Sequence, residues 1–140
     1  MTKLDRFLQA QERDYPYAMQ EILGGRKQTH WIWYIFPQLR GNGHSEKSMY
    51  YGIKDLGEAR DYLHNPILEL RLLAAMDAMM FHRDRPAMEV LGSTDAAKLR
   101  SCATLFHLAR PEEPMFKAVL KTFFKGTPCP LTVKAVDQFS

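Results

Sequence analysis

The chain has 140 residues, of which 46% are hydrophobic and 25% charged, and its formal net charge is +3. This length suits one domain, residues 1–140, with a single core. The net charge is too small to indicate the dense basic surface of a dedicated nucleic-acid binder, although it does not exclude nucleic acid as a partner. The sequence has two cysteines without CxxC spacing, no apolar stretch of membrane-spanning length and no signal-peptide pattern. These features predict a cytoplasmic protein with no membrane partner.

The N-terminal region carries helical patterns. Leu4, Phe7 and Leu8 recur at helical spacing, and the apolar stripe resumes after Pro16. Proline lacks the backbone N–H that a helix interior needs, so we expect Pro16 to break or restart the helix. Gly24-Gly25 then predicts its end, because glycine accepts the left-handed backbone that closes helices.

The next stretch, residues 31–36, is the aromatic segment, and it is unlike the rest of the chain. It holds both tryptophans, Trp31 and Trp33, two positions apart, together with Tyr34 and Phe36. Because the segment is apolar on nearly every side, periodicity does not distinguish a short strand from a buried helical turn. Pro37 ends the segment, and a Gly-Asn-Gly loop follows at residues 41–43.

Signals for helix starts and ends dominate from residue 45 onward. Capping residues, prolines at first helical positions and terminal glycines divide the remaining chain into short helices. The signals are Ser45, Asp55 with Glu58, Asn65-Pro66, Pro86 to Gly92, one of Ser93, Thr94 or Asp95, Pro111 with Pro114, Gly126, and a terminal apolar pair, Val133 and Val136. The predicted fold class is mainly α, a compact single domain of many short helices, with one short strand pair left open.

No standard catalytic or metal motif is present. The five histidines have neither HxxH nor HxxxH spacing, and no Walker, Rossmann or GxSxG pattern occurs. Cys102 falls on an apolar helical face and Cys129 lies between two prolines, so packing and turn roles suffice for both. The sequence therefore predicts neither a metal nor a cofactor, and it names no catalytic residue.

Polar residues flank the aromatic segment and suggest a ligand site. Flat side chains beside a few polar groups suit a ring-shaped ligand, and lysines with helical hydroxyls suit a phosphate or ribose. If the aromatic segment is buried, it draws these neighbours to the edge of the core, where they need partners. The predicted ligand-binding residues are Lys27, His30, Trp31, Trp33, Gln38, Ser45, Ser48, Tyr51 and Lys98. The alternative is that the aromatic segment is simply core.

Several stretches carry a resemblance to a known family. Chief among them are Lys27 with His30-Trp31-x-Trp33-x-Ile35-Phe36-Pro37-Gln38, then Gly43-x-Ser45-x-x-Ser48-x-x-Tyr51, and Asp95-x-x-Lys98-Leu99-x-Ser101. The chain resembles the domain of unknown function family 1810, some members of which carry the name calpastatin. That name is discounted here, because true calpastatin is a disordered inhibitor and this chain is compact and rich in aromatic residues. The similarity covers nearly the whole sequence, with Cys102 standing where the family pattern more often has Met.

A fainter resemblance suggests an activity. The surroundings of Tyr51 and the helix from Lys98 to Phe106 look like the mainly helical YbiA-like superfamily, whose members cleave N-glycosidic bonds of phosphoribosyl or ADP-ribosyl compounds. The resemblance implies an N-glycosidase or a sensor for an anionic, nucleotide-like small molecule. In such a site Trp31 or Trp33 would stack on the base, and a carboxylate (Glu46, Asp55 or Asp95) would stabilise the developing positive charge. The alternative is a non-catalytic domain that binds proteins or associates with nucleic acid.

Overall fold

The computed structural model describes the backbone of residues 3–139 and the side chains of residues 3–137. This part of the chain is mainly helical, as the capping signals predict. Its helices are α1 (Asp5–Leu23), α2 (Ile32–Ile35), α3 (Glu46–Tyr51), α4 (Leu56–His64), α5 (Pro66–Met80), α6 (Ala87–Leu91), α7 (Ser93–Ala109), α8 (Pro114–Phe124) and α9 (Pro130–Phe139). None of these described helices is both long and apolar enough to cross a lipid bilayer.

Helix α7 lies at the centre and packs against α4, α6, α8 and α9, while α1 packs against α2 and α5. The α7 side chains of Leu99, Cys102 and Phe106 are completely buried. Phe106 contacts Tyr62 of α4 and Phe116 of α8, with ring centroids 5.1 and 5.8 Å apart. One continuous core therefore joins these helices.

Several predicted helix ends are confirmed by their capping hydrogen bonds. Ser45 accepts from the backbone N–H of Ser48 at 3.1 Å, and Asp55 accepts from that of Glu58 at 2.9 Å. Asn65 caps α5, with proline at the first helical position. These caps each satisfy backbone donors that the first helical turn leaves without intrahelical partners.

Two predictions about helix boundaries are wrong. Helix α1 runs through Pro16 without interruption. The buried residues on both sides of the proline pack against α2 and α5, and this burial outweighs the roughly 3 kcal/mol that an interior proline costs. Helix α7 has no side-chain cap; Gly92, at φ +86°, precedes it, and Asp95 instead pairs with lysines.

The aromatic segment forms a single helical turn, α2, and most of it is core. Trp31, Tyr34 and Phe36 are 1–2% exposed. No strand is present in residues 3–139; the strand pair that the sequence left open is reduced to one parallel bridge between Leu39 and Ile53. At this bridge the Arg40 backbone N–H donates to the Ile53 carbonyl at 2.8 Å. This hydrogen bond holds the residues that follow the aromatic segment beside the end of α3.

A polar cleft beside the aromatic segment

An open cleft of about 430 Å³ lies between the first turns of α7, the loop before α3 and the start of α9. Four of the predicted ligand-binding residues line it: Gln38, Ser45, Ser48 and Lys98. Its other lining residues are Asn42, Gly43, His44, Thr94, Ala97, Arg100, Ser101, Cys129 and Leu131. Within the part of the chain that the structure describes, no aspartate or glutamate lines this cleft.

The Gly-Asn-Gly loop closes one side of the cleft and is tied to α9. The Asn42 side-chain amide donates to the Thr132 hydroxyl at 2.8 Å. Gly43 leaves no room for a side chain, because a Cβ there would lie 2.7 Å from the Ser48 hydroxyl and 3.3 Å from the Gln38 amide nitrogen. The polar groups of Gln38 and Ser48 are thus packed directly under the loop.

A cluster of two lysines and one carboxylate lies next to the cleft. Lys27 Nζ is 2.9 Å from Asp95 Oδ2, and Lys98 Nζ is 3.4 Å from Asp95 Oδ1. The three side chains are 10%, 18% and 17% exposed for Lys27, Lys98 and Asp95. With two positive charges on one carboxylate, the cluster carries one excess positive charge, and Lys98 is the member that lines the cleft.

The two tryptophans have different surroundings. Trp31 is 1% exposed, and its indole N–H donates to Glu21 at 2.9 Å. Trp33 is half-buried and lies under two ammonium groups, with Lys47 Nζ 4.7 Å and Lys98 Nζ 5.8 Å from its ring. Because the segment is a helical turn, residues two apart point to opposite sides, so only Trp33 reaches the region of the cleft.

Trp33 and Tyr51 line a small chamber that shares Gln38 and Ser48 with the cleft. Gly52 closes it, and a Cβ on this glycine would lie 2.7 Å from the Arg40 backbone. The chamber and the cleft together thus bring six of the nine predicted residues to one region.

Lys27, His30 and Trp31 do not line the cleft. Lys27 reaches it only through Asp95. Trp31 belongs to the core, so it cannot stack on a ligand base. The His30 side chain is exposed, while its backbone oxygen accepts from the Tyr34 hydroxyl at 3.1 Å.

Asp55, Glu46 and Arg40 also lie outside the cleft lining. Asp55 caps α4, and Glu46 is exposed in the first turn of α3. Arg40 donates to the Gly52 carbonyl at 3.3 Å and lies outside the cleft lining. Of the three carboxylates considered, only Asp95 contacts a lysine that lines the cleft.

Cys129 is a cleft residue that the sequence reasoning missed. Its carbonyl accepts from the Val133 N–H at 3.1 Å, so it occupies the capping position of α9. Burial alone raises the pKa of this thiol, but hydrogen bonds from the Ser101 hydroxyl, the Thr132 hydroxyl and N–H, and the Leu131 N–H lower it below its usual value. Pro130 was the available signal, because proline at a first helical position places its predecessor at the cap.

Metal chemistry has no support in the described residues, where no group of three His, Cys, Asp or Glu side chains could hold an ion. The other cysteine, Cys102, is completely buried, and burial holds the pKa of its thiol well above the usual value. The chemistry that the cleft offers is therefore hydrogen bonding, positive charge and the largely buried thiol of Cys129 in its wall.

Comparison with known proteins identifies the family. Residues 1–136 match a family described as "Protein of unknown function (DUF1810)". The chain belongs to this family. It is also similar to the crystal structure of the conserved hypothetical protein Rv1873 from Mycobacterium tuberculosis, at 36% identity over 96% of both chains and a TM-score of 0.93. No curated protein matches the chain.

Proposed function

We propose that the cleft binds a small anionic, nucleotide-like molecule, of the ribosyl phosphate or ADP-ribose class. The observation that carries the proposal is the excess positive charge of the Lys27–Asp95–Lys98 cluster. A partly desolvated ammonium without a full counterion is costly, and a phosphate next to Lys98 would supply the missing negative charge through a charge-assisted hydrogen bond.

The lining of the cleft favours the sugar phosphate over the base. Hydroxyls and amides of Ser45, Ser48, Gln38 and Asn42 are suited to the hydroxyl groups of a ribose. His44 is the one ring-bearing side chain among the described lining residues, since Trp31 is core and Trp33 lines the chamber. Recognition by stacking on a base therefore has less support than recognition of ribose and phosphate.

Cleavage of an N-glycosidic bond is the more specific form of this proposal. That reaction needs a carboxylate to stabilise the oxocarbenium-like transition state. No carboxylate lines the cleft among the described residues, so Asp95, which contacts the cleft residue Lys98, would have to turn from its lysines towards the ligand. A ligand sensor needs no such group. Incubation with ADP-ribosyl and N-ribosyl phosphate compounds, followed by chromatography for a released base, distinguishes the two: an enzyme releases base and Asp95→Asn stops it, whereas a sensor releases none.

Binding itself is tested by calorimetric titration with inorganic phosphate, ribose 5-phosphate and ADP-ribose. We expect ribose 5-phosphate to bind, and Lys98→Gln to weaken it by about tenfold or more, the equivalent of a lost hydrogen bond to a charged group. Lys121→Gln is the matched control, because it removes the same charge from an exposed position on α8 outside the cleft. No binding by any of the three compounds, or an equal loss in both variants, would contradict the proposal.

A further inference from the structure

The indole N–H of Trp33 is buried and has no hydrogen-bond partner among the residues whose side chains the structure describes. This contrasts with Trp31, whose indole donates to Glu21. Leaving a buried donor unpaired costs about 1–3 kcal/mol, and buried donors in folded proteins are nearly always paired with protein or ordered water. The Trp33 indole N–H therefore calls for an acceptor that the described part of the chain does not supply.

The small chamber lined by Trp33 is the place where such an acceptor fits. The free volume of the chamber is about 10 Å³, which is enough for about one water molecule or one ligand oxygen. Its walls carry further polar groups, the Gln38 amide and the Ser48 hydroxyl, so an oxygen there would find several partners.

The chamber adjoins the cleft, with which it shares Gln38 and Ser48. The Ser48 hydroxyl accepts from Ser45 at 2.9 Å, so its own hydrogen is directed elsewhere. Lys98 also connects the two spaces, since it lines the cleft and its ammonium lies over the Trp33 ring. The chamber therefore lies close to any molecule whose phosphate contacts Lys98.

We propose that the chamber is an inner subsite for a single oxygen atom, which accepts a hydrogen bond from Trp33 Nε1. In the ligand-bound protein this oxygen is a sugar hydroxyl, and in the free protein it is a water. The inference rests on the proposed function. It adds that the chamber lets the protein select a phosphate compound that carries a hydroxyl over inorganic phosphate.

Nuclear magnetic resonance of the ¹⁵N-labelled full chain tests this directly. Only two tryptophans occur, so the spectrum holds two indole N–H signals, and Trp33→Phe assigns them. We expect ribose 5-phosphate to shift the Trp33 indole signal and inorganic phosphate to leave it in place, while both shift backbone amides around Lys98. The Trp31 indole, bonded to Glu21, is the internal control and stays fixed.

The outcomes separate the subsite from the cleft. Shifted amides around Lys98 with an unmoved Trp33 indole in ribose 5-phosphate would overturn the subsite and leave the binding proposal intact. Unshifted amides with either compound would overturn both. In the free protein, a missing water-to-indole cross-relaxation signal at Trp33 would also count against the subsite.

Affinities give a second measurement. Trp33→Phe keeps an aromatic ring and removes the donor, so the ratio of ribose 5-phosphate affinity to phosphate affinity is expected to fall by about 2- to 10-fold, the usual value of one hydrogen bond. An unchanged ratio would show that the indole N–H does not contact the sugar.

Discussion

Replacing Asp95 with Asn tests the charge cluster on which the proposed function depends. The change removes the counterion of Lys27 at 2.9 Å and of Lys98 at 3.4 Å, and it leaves two mostly buried ammonium groups together. Loss of one partner from a fully buried pair costs about 3–5 kcal/mol, and an exposed pair is worth about 0–1 kcal/mol. Because these side chains are 10–18% exposed, we expect a loss of about 2–3 kcal/mol in the free energy of unfolding.

Urea unfolding at low ionic strength measures this loss, and two further variants calibrate it. Lys27→Met leaves the Asp95–Lys98 pair in place, so it should cost less than Asp95→Asn. Glu89→Gln breaks the Arg85 pair, whose side chains are 39% and 54% exposed, and should cost under about 1 kcal/mol.

Phosphate supplies the second readout for the same variant. With Asp95 replaced, the two lysines lack their carboxylate, and added phosphate should restore stability more in Asp95→Asn than in the wild type, by ligand linkage. The reasoning is refuted if Asp95→Asn costs no more than Glu89→Gln, or if phosphate stabilises both proteins equally.

Three further predictions concern other residues. Trp31→Ala is expected to cost about 3–5 kcal/mol in urea unfolding, because the side chain is 1% exposed, and a cost under about 1.5 kcal/mol would contradict its core role. Burial raises the pKa of Glu21, but hydrogen bonds from Thr29, Gln28 and Trp31 outweigh burial and lower the pKa to about 2. The ionised Glu21 side chain therefore stabilises the fold fully above pH about 4.5, and this stabilisation is lost as the pH falls towards 2. Glu21→Gln should accordingly reduce the pH dependence of the free energy of unfolding between these two pH values. Iodoacetamide should alkylate Cys129 well before the completely buried Cys102. The pH midpoint of Cys129 labelling, followed by mass spectrometry, should lie below the value of about 8.5 for a free thiol, and a midpoint at or above that value would contradict the lowered pKa.

Local signals account for much of the fold. The caps at Ser45, Asp55 and Asn65 are each formed by a side chain and a backbone N–H two or three residues away, so the sequence alone specifies them. Pro16 shows the limit of such rules, because its cost is set locally and the compensating burial comes from α2 and α5, which follow it in the chain.

The aromatic segment shows why the site was only partly predictable. In a strand, Trp31 and Trp33 would share one face, whereas in a helical turn they point to opposite sides. The periodicity does not distinguish a strand from a helical turn, so the sequence predicts ligand binding for both tryptophans. The helical turn sends Trp31 into the core and Trp33 towards the chamber, and this outcome depends on what the rest of the chain packs around them.

Asp95 illustrates the reverse case, in which the local rule fails at a residue beside the proposed site. An aspartate at position 95 is well suited to cap a helix that begins at Ala96, and a cap is worth about 1 kcal/mol. The structure gives up that hydrogen bond, places Gly92 before the helix and directs the carboxylate to Lys27 and Lys98. Departures from local preference tend to occur where function constrains a sequence. Here Asp95 leaves Lys98 incompletely neutralised at the edge of a cleft whose described lining has no acidic side chain, an arrangement that suits the anionic ligand we propose.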